Sequence, residues 1–363
     1  MCASCLSSIT ATRNAAAATV LSADHSAVIL LNYQNAPDTL ACLCALAAMP
    51  LQPGRIIVVD NNSADGSVER IMEGWRPFTA PVLLREAEAV LPSPPSSLRH
   101  GVLALSANGG FAAGNNAGIR LALQDPNCAA VWLLNNDTEP APDALEKLCA
   151  RLSLSPAAGP AGSTLVYAHD RQTAQCAGGA FLSPWTGAAK YVHGGERLQD
   201  VLAADTGQAE AALSYVTGAS LLVRRAVIDA VGLLPEAYFM YYEDADYGLL
   251  CGRAGFFPVW ARESVVYHRE GGSSGAEGAA GGGTRSRPEW VDYLGLRNRV
   301  YMMRKHYPWA LPVVLLGCLG AMLRRIRRGQ ADRIPLVCRA VRDGLHGRMG
   351  RPEALFPALR ERS

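Results

Sequence analysis

Two common phosphate cradles are absent. The turn after the first apolar run, Asn32-Tyr33-Gln34-Asn35-Ala36-Pro37, contains no glycine, which excludes there the GxGxxG turn of dinucleotide-binding proteins. No GxxxxGK[ST] segment occurs, so the P-loop nucleotide hydrolases are excluded too. Cys2 and Cys5 form one CxxC, but no second pair stands at zinc-site spacing, which argues against a metal knuckle. The ten cysteines are scattered, mostly inside apolar segments such as Leu40-Ala41-Cys42-Leu43-Cys44-Ala45. That is the pattern of buried free thiols in a reducing compartment. A basic region followed by an apolar run is missing at the N-terminus. The expectation is therefore no secretory signal and a poorly ordered tail over residues 1–24.

Net charge is also small, +2 over 363 residues, but it is unevenly placed. Residues 1–284 hold 17 Lys and Arg against 26 Asp and Glu, a net of −9; residues 285–363 hold 17 against 6, a net of +11. A basic tail on an acidic body points to an anionic surface as partner. Trp309 to Leu323 is uncharged and is followed by Arg324-Arg325-Ile326-Arg327-Arg328. At 15 residues the stretch is short of the roughly 20 that a bilayer span needs. It suits an interfacial or re-entrant helix with a basic anchor, or a buried C-terminal helix. The arginines flank this apolar helix and do not alternate with exposed aromatics, so nucleic acid is not the expected partner.

What is present is a repeated strand-then-helix order. Ser26 to Tyr33 and Arg55 to Asp60 read as buried strands, with helices over Asp38 to Met49 and Ala64 to Trp75. This opening predicts an α/β fold with a mostly parallel sheet covered by helices. A helix through Leu123, a strand over Val131-Trp132-Leu133-Leu134 and a helix over Ala141 to Leu152 continue it. Val216 to Val223 reads as a strand leading to a helix over Arg225 to Val231. Residues 85–100, with LPSPPSSLRH, read as an exposed loop, and the Gly/Ser/Ala-rich residues 271–283 as a mobile one.

Several of these strands end in Asn/Asp-containing turns, and ligands of open parallel sheets bind beyond the carboxyl ends of strands. Asp60 stands at a strand tip, where it either accepts from a base or ribose hydroxyl or closes an Asx turn. Asp137 follows VWLLNN; with a neighbouring carbonyl oxygen it suits a hard divalent cation, and a capped turn is the competing reading. Glu243 and Asp244 lie between aromatics and a helix, either as general bases in an aromatic cleft or as solvated helix-start acids. His268 directly precedes the Gly-rich loop, where it is a structural histidine or, under a lid, a metal ligand favouring Mn²⁺ at least as much as Mg²⁺.

In order along the chain stand VILLNYQN (28–35), IIVVDNNSADGS (56–67), NGGFAAGNNAGI (108–119), VWLLNNDTEP (131–140), VTGASLLVRR (216–225), YFMYYEDADYGLLCGRAGF (238–256) and VVYHREGGSS (265–274). The ordered set resembles the family 2 glycosyltransferases, inverting enzymes of the GT-A (Rossmann-like) fold, and most of all their rhamnosyltransferase and galactofuranosyltransferase branch. The resemblance covers about residues 26–305. It implies a GT-A domain over 25–305, with a nucleotide-binding half at about 25–150 and an acceptor half at about 151–305. A basic helical segment over 306–363 would associate with the membrane.

The resemblance also assigns roles. Asn32, Asn35, Asp60 and Asn62 would hold the nucleotide, and Gly110 and Asn115 would lie near the donor. Asn135-Asn136-Asp137 would be the DxD-type motif, with Asp137 and His268 on a divalent metal, Mn²⁺ or Mg²⁺. Gly218 would allow close backbone approach, and Asp244, in the pair with Glu243, would deprotonate the acceptor. Asn135 departs from the motif's usual Asp, and a neutral ligand weakens metal binding. The expected activity is metal-dependent transfer of a sugar, with rhamnose as one candidate, from a nucleotide diphosphate sugar. The acceptor would be a glycan or lipid-linked, at the cytoplasmic face of the cell membrane, in cell-surface polysaccharide synthesis. The rival reading is a catalytically inactive protein of the same fold bound at a membrane glycan assembly.

Overall fold

A computed structural model describes residues 21–75, 78–86, 99–269, 288–327 and 329–356. The Gly-rich segment 271–283, residues 1–20 of the expected tail and residues 87–98 of the Pro/Ser-rich segment lie outside the described residues. Leu21 and Ala23 are buried, so the tail's expected boundary at residue 24 falls inside packed chain. Leu21 N donates to Ser153 Oγ at 3.0 Å.

The chain runs β1 (Ser26–Asn32), α1 (Ala36–Ala47), β2 (Arg55–Asp60), α2 (Ser67–Gly74), β3 (Val82–Arg85), β4 (His100–Ala104) and α3 (Phe111–Ala122). Then follow β5 (Ala130–Asn135), β6 (Thr138–Pro140), α4 (Ala144–Ser153), β7 (Ala158–Tyr167) and β8 (Asp170–Ala177). The middle adds β9 (Gly179–Leu182), β10 (Ala189–Tyr191), α5 (Leu198–Ala203), α6 (Thr206–Ala212), β11 (Tyr215–Val216), β12 (Ser220–Arg224) and α7 (Arg225–Val231). The C-terminal part holds α8 (Glu243–Arg253), β13 (Phe257–His268), α9 (Glu289–His306), α10 (Leu311–Arg327) and α11 (Ile334–His346).

The main sheet has the order β3-β4-β2-β1-β5-β12-β7-β13-β6, with β8 on β7. Strands β3, β4, β2, β1 and β5 are mutually parallel, while β12 runs antiparallel to both β5 and β7. Chain order reverses at β1, which sits between β2 and β5, and that reversal opens a crevice at the carboxyl ends. Both faces are covered, which is why these strands read as unbroken apolar runs. Val28, Leu30, Trp132 and Leu134 enter one core layer; Ala27, Ile29, Val131 and Leu133 enter the other.

Local chemistry starts α1 earlier than its apolar run suggests. Asn35 is its N-cap, with Oδ1 accepting from Asp38 N, and Pro37 lies in the first turn, where a missing N–H costs nothing. One expected element is corrected. The strand over Val216 to Val223 is broken by Thr217-Gly218-Ala219 into β11, which joins a small sheet with β9 and β10, and β12 in the main sheet. The break turns the Gly218 N–H out of the ladder and toward Asp244. The expected free thiols hold: the eight cysteines of the described residues are unpaired, and all but Cys44 and Cys338 are buried.

Candidate active site

The nucleotide side begins where β1 and β2 end together, Asn32 opposite Asp60. Asn32 Nδ2 donates to Asp60 Oδ1 at 2.7 Å, and Thr39 Oγ1 donates to Asn32 Oδ1 at 2.9 Å. Ser63 N donates to Asp60 Oδ2 at 2.8 Å, closing an Asx turn. Burial pushes the Asp60 carboxyl up, against the lowering bonds from Ser63 and Asn32. Asp60 thus organises the turn, and its oxygens keep acceptor capacity beyond these bonds. Asn35 spends its side chain on capping α1, and its carbonyl accepts from Asn136 Nδ2 at 3.4 Å. Asn62 is half-buried, in the left-handed region at φ 60°. The sequence reading passed over Asn61, whose buried Oδ1 has no hydrogen-bond partner among the described residues. Its Nδ2 donates to Asn108 Oδ1 and Gly110 O. A buried orphan acceptor beside a strand end asks for a donor from a ligand.

Gly110 serves a backbone contact. Its φ of 89° and ψ of −171° belong to glycine, and a Cβ there would stand 2.0 Å from Phe239 O. Phe111 N donates to that same carbonyl at 2.7 Å, so the glycine loop is fastened to the segment that carries the acidic pair. Asn115 is buried, and its Nδ2 bonds Phe111 O within α3.

At the end of β5 the chain brings Asn135, Asp137 and His268 together. Antiparallel pairing of β13 with β6 sets His268 opposite Thr138. His268 Nε2 lies 3.3 Å from Asp137 Oδ1 and 3.4 Å from Asn135 Nδ2. Its Nδ1 lies 2.9 Å from Gln175 Oε1, an acceptor, so Nδ1 carries the proton and Nε2 presents a lone pair. A lone pair and a carboxylate oxygen facing each other are reconciled by a shared cation, a proton or a metal. A carbonyl oxygen behind the imidazole is the usual outer partner of a metal-binding histidine. Among the described residues no group of three or more His, Cys, Asp or Glu side chains could hold a metal. Asp137 and His268 supply two candidate ligands there, one carboxylate oxygen and one imidazole nitrogen. A cavity of about 270 Å³ opens beside Asp137, lined also by Asp38, Cys44, Glu139 and Arg269. Asp244 is not part of its wall.

Asp244 is tied to this end of the sheet through Gly218. Its Oδ2 accepts from Gly218 N at 3.3 Å and its Oδ1 from Ala245 N at 2.8 Å. The next carbonyl, Ala219 O, accepts from Asn135 N at 3.0 Å. A Cβ at Gly218 would stand 2.8 Å from the Phe111 ring, so any larger residue there would push that ring aside. Burial raises the Asp244 carboxyl, and the bonds from Gly218 and Ala245 pull against it. Glu243 is more deeply buried, and its Oε2 has no hydrogen-bond partner among the described residues. Burial and then the Asp244 charge push its carboxyl far above the usual range. Two adjacent carboxyls cannot both ionise cheaply. The proton belongs on Glu243, and the half-buried Asp244 with its two N–H donors carries the charge.

The α9 residues that hold this motif, Arg297, Asn298, Lys305 and His306, went unseen in the sequence. Phe239, Tyr241 and Tyr242 have φ of 70°, 72° and 74°, a costly run for side-chain-bearing residues. Asn298 of α9 holds the run, the two hydrogens of its Nδ2 shared among Met240 O at 2.7 Å, Tyr241 O at 2.9 Å and Tyr238 O at 3.3 Å. Buried Arg297 donates to Tyr238 O and Gly350 O. Asp246, fully buried, takes bonds from Lys305, His306 and Tyr238. Burial alone would raise its carboxyl; those bonds outweigh it and lower the value.

Residues 27–175 match the model of Glycosyl transferase family 2. The chain is 25% identical over 275 residues to the N-acetylglucosaminyl-diphospho-decaprenol L-rhamnosyltransferase of Mycobacterium tuberculosis, covering 70% of this chain and 78% of the relative. The fold is similar to that of S. aureus TarS solved with UDP-GlcNAc, with a TM-score of 0.52 at 13% identity, over 89% of this chain and 81% of that one. It is also similar to GalNAc-T7 solved with UDP, GalNAc and Mn²⁺, with a TM-score of 0.51 at 13% identity, over 77% of this chain and 47% of that one. The architecture is thus the GT-A fold expected above.

Proposed function

We propose that this chain, whose residues 27–175 match the Glycosyl transferase family 2 model, is a glycosyltransferase that moves a sugar from a nucleotide diphosphate donor to an acceptor hydroxyl by one inverting displacement. The observation that carries the reading is the placement of two unlike groups on one short junction. Asp137 and His268 lie beyond the end of β5, and Asp244 is tied through Gly218 and Ala219 to Asn135.

Asp244 takes the acceptor hydroxyl's proton as the oxygen attacks the anomeric carbon. Gly218 and Ala245 keep its carboxylate aimed and ionised, and protonated Glu243 adds no competing charge. Asp137 and the His268 Nε2 lone pair would hold the divalent cation, Mn²⁺ or Mg²⁺, which when bound supplies charge neutralisation for the departing diphosphate. Gln175 fixes the histidine's tautomer for that task. Asn61, Asn62 and Asp60 offer acceptors for the nucleotide's base and ribose. No second catalytic carboxylate is required, since a single displacement needs one base and a stabilised leaving group.

The relative's name supplies the finer proposal: a deoxyhexose donor such as a nucleotide-activated rhamnose, and an acceptor on a lipid diphosphate. The site of action would be the inner face of the cell membrane. Thermal-shift screening of nucleotide sugars with and without Mn²⁺ tests the reading, because a true donor stabilises the fold by mass action. A nucleotide-rhamnose shift that requires Mn²⁺, followed by transfer to a lipid-linked acceptor, is the expected result. A chain that no nucleotide sugar stabilises under either condition would overturn it.

A further inference from the structure

The helix α10 has two unlike sides. Val314 and Cys318 are buried against the α9 side of the molecule, and Arg325 Nη2 donates to Asp292 of α9 at 2.9 Å. The opposite side exposes Val313, Leu316, Leu319, Leu323 and Ile326, with Leu316 at 66% exposure. Their i, i+3, i+6/7 spacing makes one continuous stripe. Exposed Arg324 and Arg327 close its C-terminal end. At the other end Trp309 and Trp185, 55% and 58% exposed, meet edge to face with ring centroids 4.6 Å apart.

Trp185 reaches α10 from the turn between β9 and β10, and that turn is also joined to the site. Tyr242 OH donates to Gly187 O at 3.0 Å, and Tyr242 is the residue before Glu243 and Asp244. Arg299 Nε donates to Thr186 O. An exposed tryptophan pair, an apolar stripe and terminal arginines share one flank, and the flank is bonded to the catalytic motif.

By length and composition Pro308–Arg327 would cross a bilayer. Its packed side favours the interface over a span, since a spanning helix would break the Arg325–Asp292 pair and uncover the α9 side that Val314 and Cys318 fill. Apolar side chains with a basic end and tryptophans describe a helix lying in the interface. The arginines choose anionic headgroups, and residues 285–363 carry 17 basic against 6 acidic side chains, +11 net.

We propose that the flank formed by the outer side of α10, Trp309 and Trp185 docks on an anionic bilayer with α10 parallel to its surface. The β9–β10 turn then holds the Tyr242–Asp244 end of the site at headgroup level. The acceptor part rests on the glycosyltransferase reading above; the docking surface does not.

The test is flotation of the full chain with phosphatidylcholine vesicles, with and without phosphatidylglycerol. Wild type should float with the anionic vesicles and come off as salt rises. Leu316→Glu with Leu323→Glu, and separately Trp185→Ala with Trp309→Ala, should cut binding by about tenfold or more. All four side chains are exposed, so melting temperature should stay near wild type. Quenching of the tryptophans by lipids brominated high on the acyl chain, and not by those brominated near its end, would report the shallow depth. Equal binding by the variants, no preference for anionic vesicles, deep quenching, or self-association through this flank that vesicles do not reverse would each overturn the docking. Transfer to a short water-soluble acceptor should survive in the variants while transfer to vesicle-embedded acceptor falls. Normal docking with no transfer to either acceptor would instead count against the activity alone.

Discussion

Gly218 N donates to Asp244 Oδ2 at 3.3 Å, and the carbonyl of the next residue, Ala219, accepts from Asn135 N at 3.0 Å. Asp244, the proposed base, is thereby indexed to the end of β5, two residues before Asp137, which stands 107 residues earlier in the chain. The β11–β12 break produces this arrangement.

Glu243→Gln separates the two neighbouring carboxyls. The folded-state value of Glu243 is raised above its ordinary 4.5, so its contribution to stability is complete below that pH. It is lost as pH rises through the raised value. Glutamine removes the titration, so melting temperature measured across pH should fall less on the alkaline side in the variant than in wild type. Transfer activity should persist. A variant as inactive as one lacking Asp244 would make Glu243 the base.

Gln175→Ala leaves Asp137 and His268 in place but frees the imidazole tautomer. Outer partners of metal ligands typically contribute 10–100-fold to metal affinity, and a loss of about tenfold in the Mn²⁺ concentration needed for donor binding is expected. Asp137→Ala should weaken Mn²⁺-dependent donor binding further. Titration calorimetry with nucleotide sugar at fixed Mn²⁺ reads both; unchanged affinity in Asp137→Ala removes it from the metal site.

Asn298→Ala deletes an amide whose two hydrogens serve carbonyls of the strained run before α8, Met240 O and Tyr241 O most closely and Tyr238 O at 3.3 Å. At about 1 kcal/mol net per bond, a destabilisation of about 2–3 kcal/mol is expected from chemical unfolding. The turnover number should drop more than donor affinity, because the run carries Asp244 directly and reaches the nucleotide side only through the Phe239 O–Phe111 N bond. An equal loss of donor affinity would place Asn298 in general folding only.

Gly110→Ala puts a methyl against Phe239 O in a backbone conformation that glycine alone adopts. A loss of about 3 kcal/mol is expected, with stability measured by urea unfolding. A variant of wild-type stability would show that this close approach is not held in solution.

How much of this was legible in the sequence follows from how local each feature is. Strands β1, β2 and β5 were readable because both faces are buried, which leaves an unbroken apolar run ending in a polar turn. The break at Thr217-Gly218-Ala219 was not, since its flanks are β-formers and only the competition of two sheets separates them. Asp60 was offered two roles, and the Asx turn is there because Ser63 follows at the right offset. Gln175, Asn298 and Arg297 were missed for one reason. Each acts across more than 50 residues on a group that no periodicity ties to it. The apolar stretch at Trp309–Leu323 could not be assigned to core or interface by composition, because its two sides differ only in what packs on them.

The most direct test of the central claim is donor affinity and sugar transfer measured side by side on Asp244→Asn in the presence of Mn²⁺. The substitution keeps the shape and removes the base, so donor affinity should remain within about twofold of wild type while transfer falls by 10²-fold or more. Transfer near the wild-type rate, or donor binding lost together with it, would contradict the assignment.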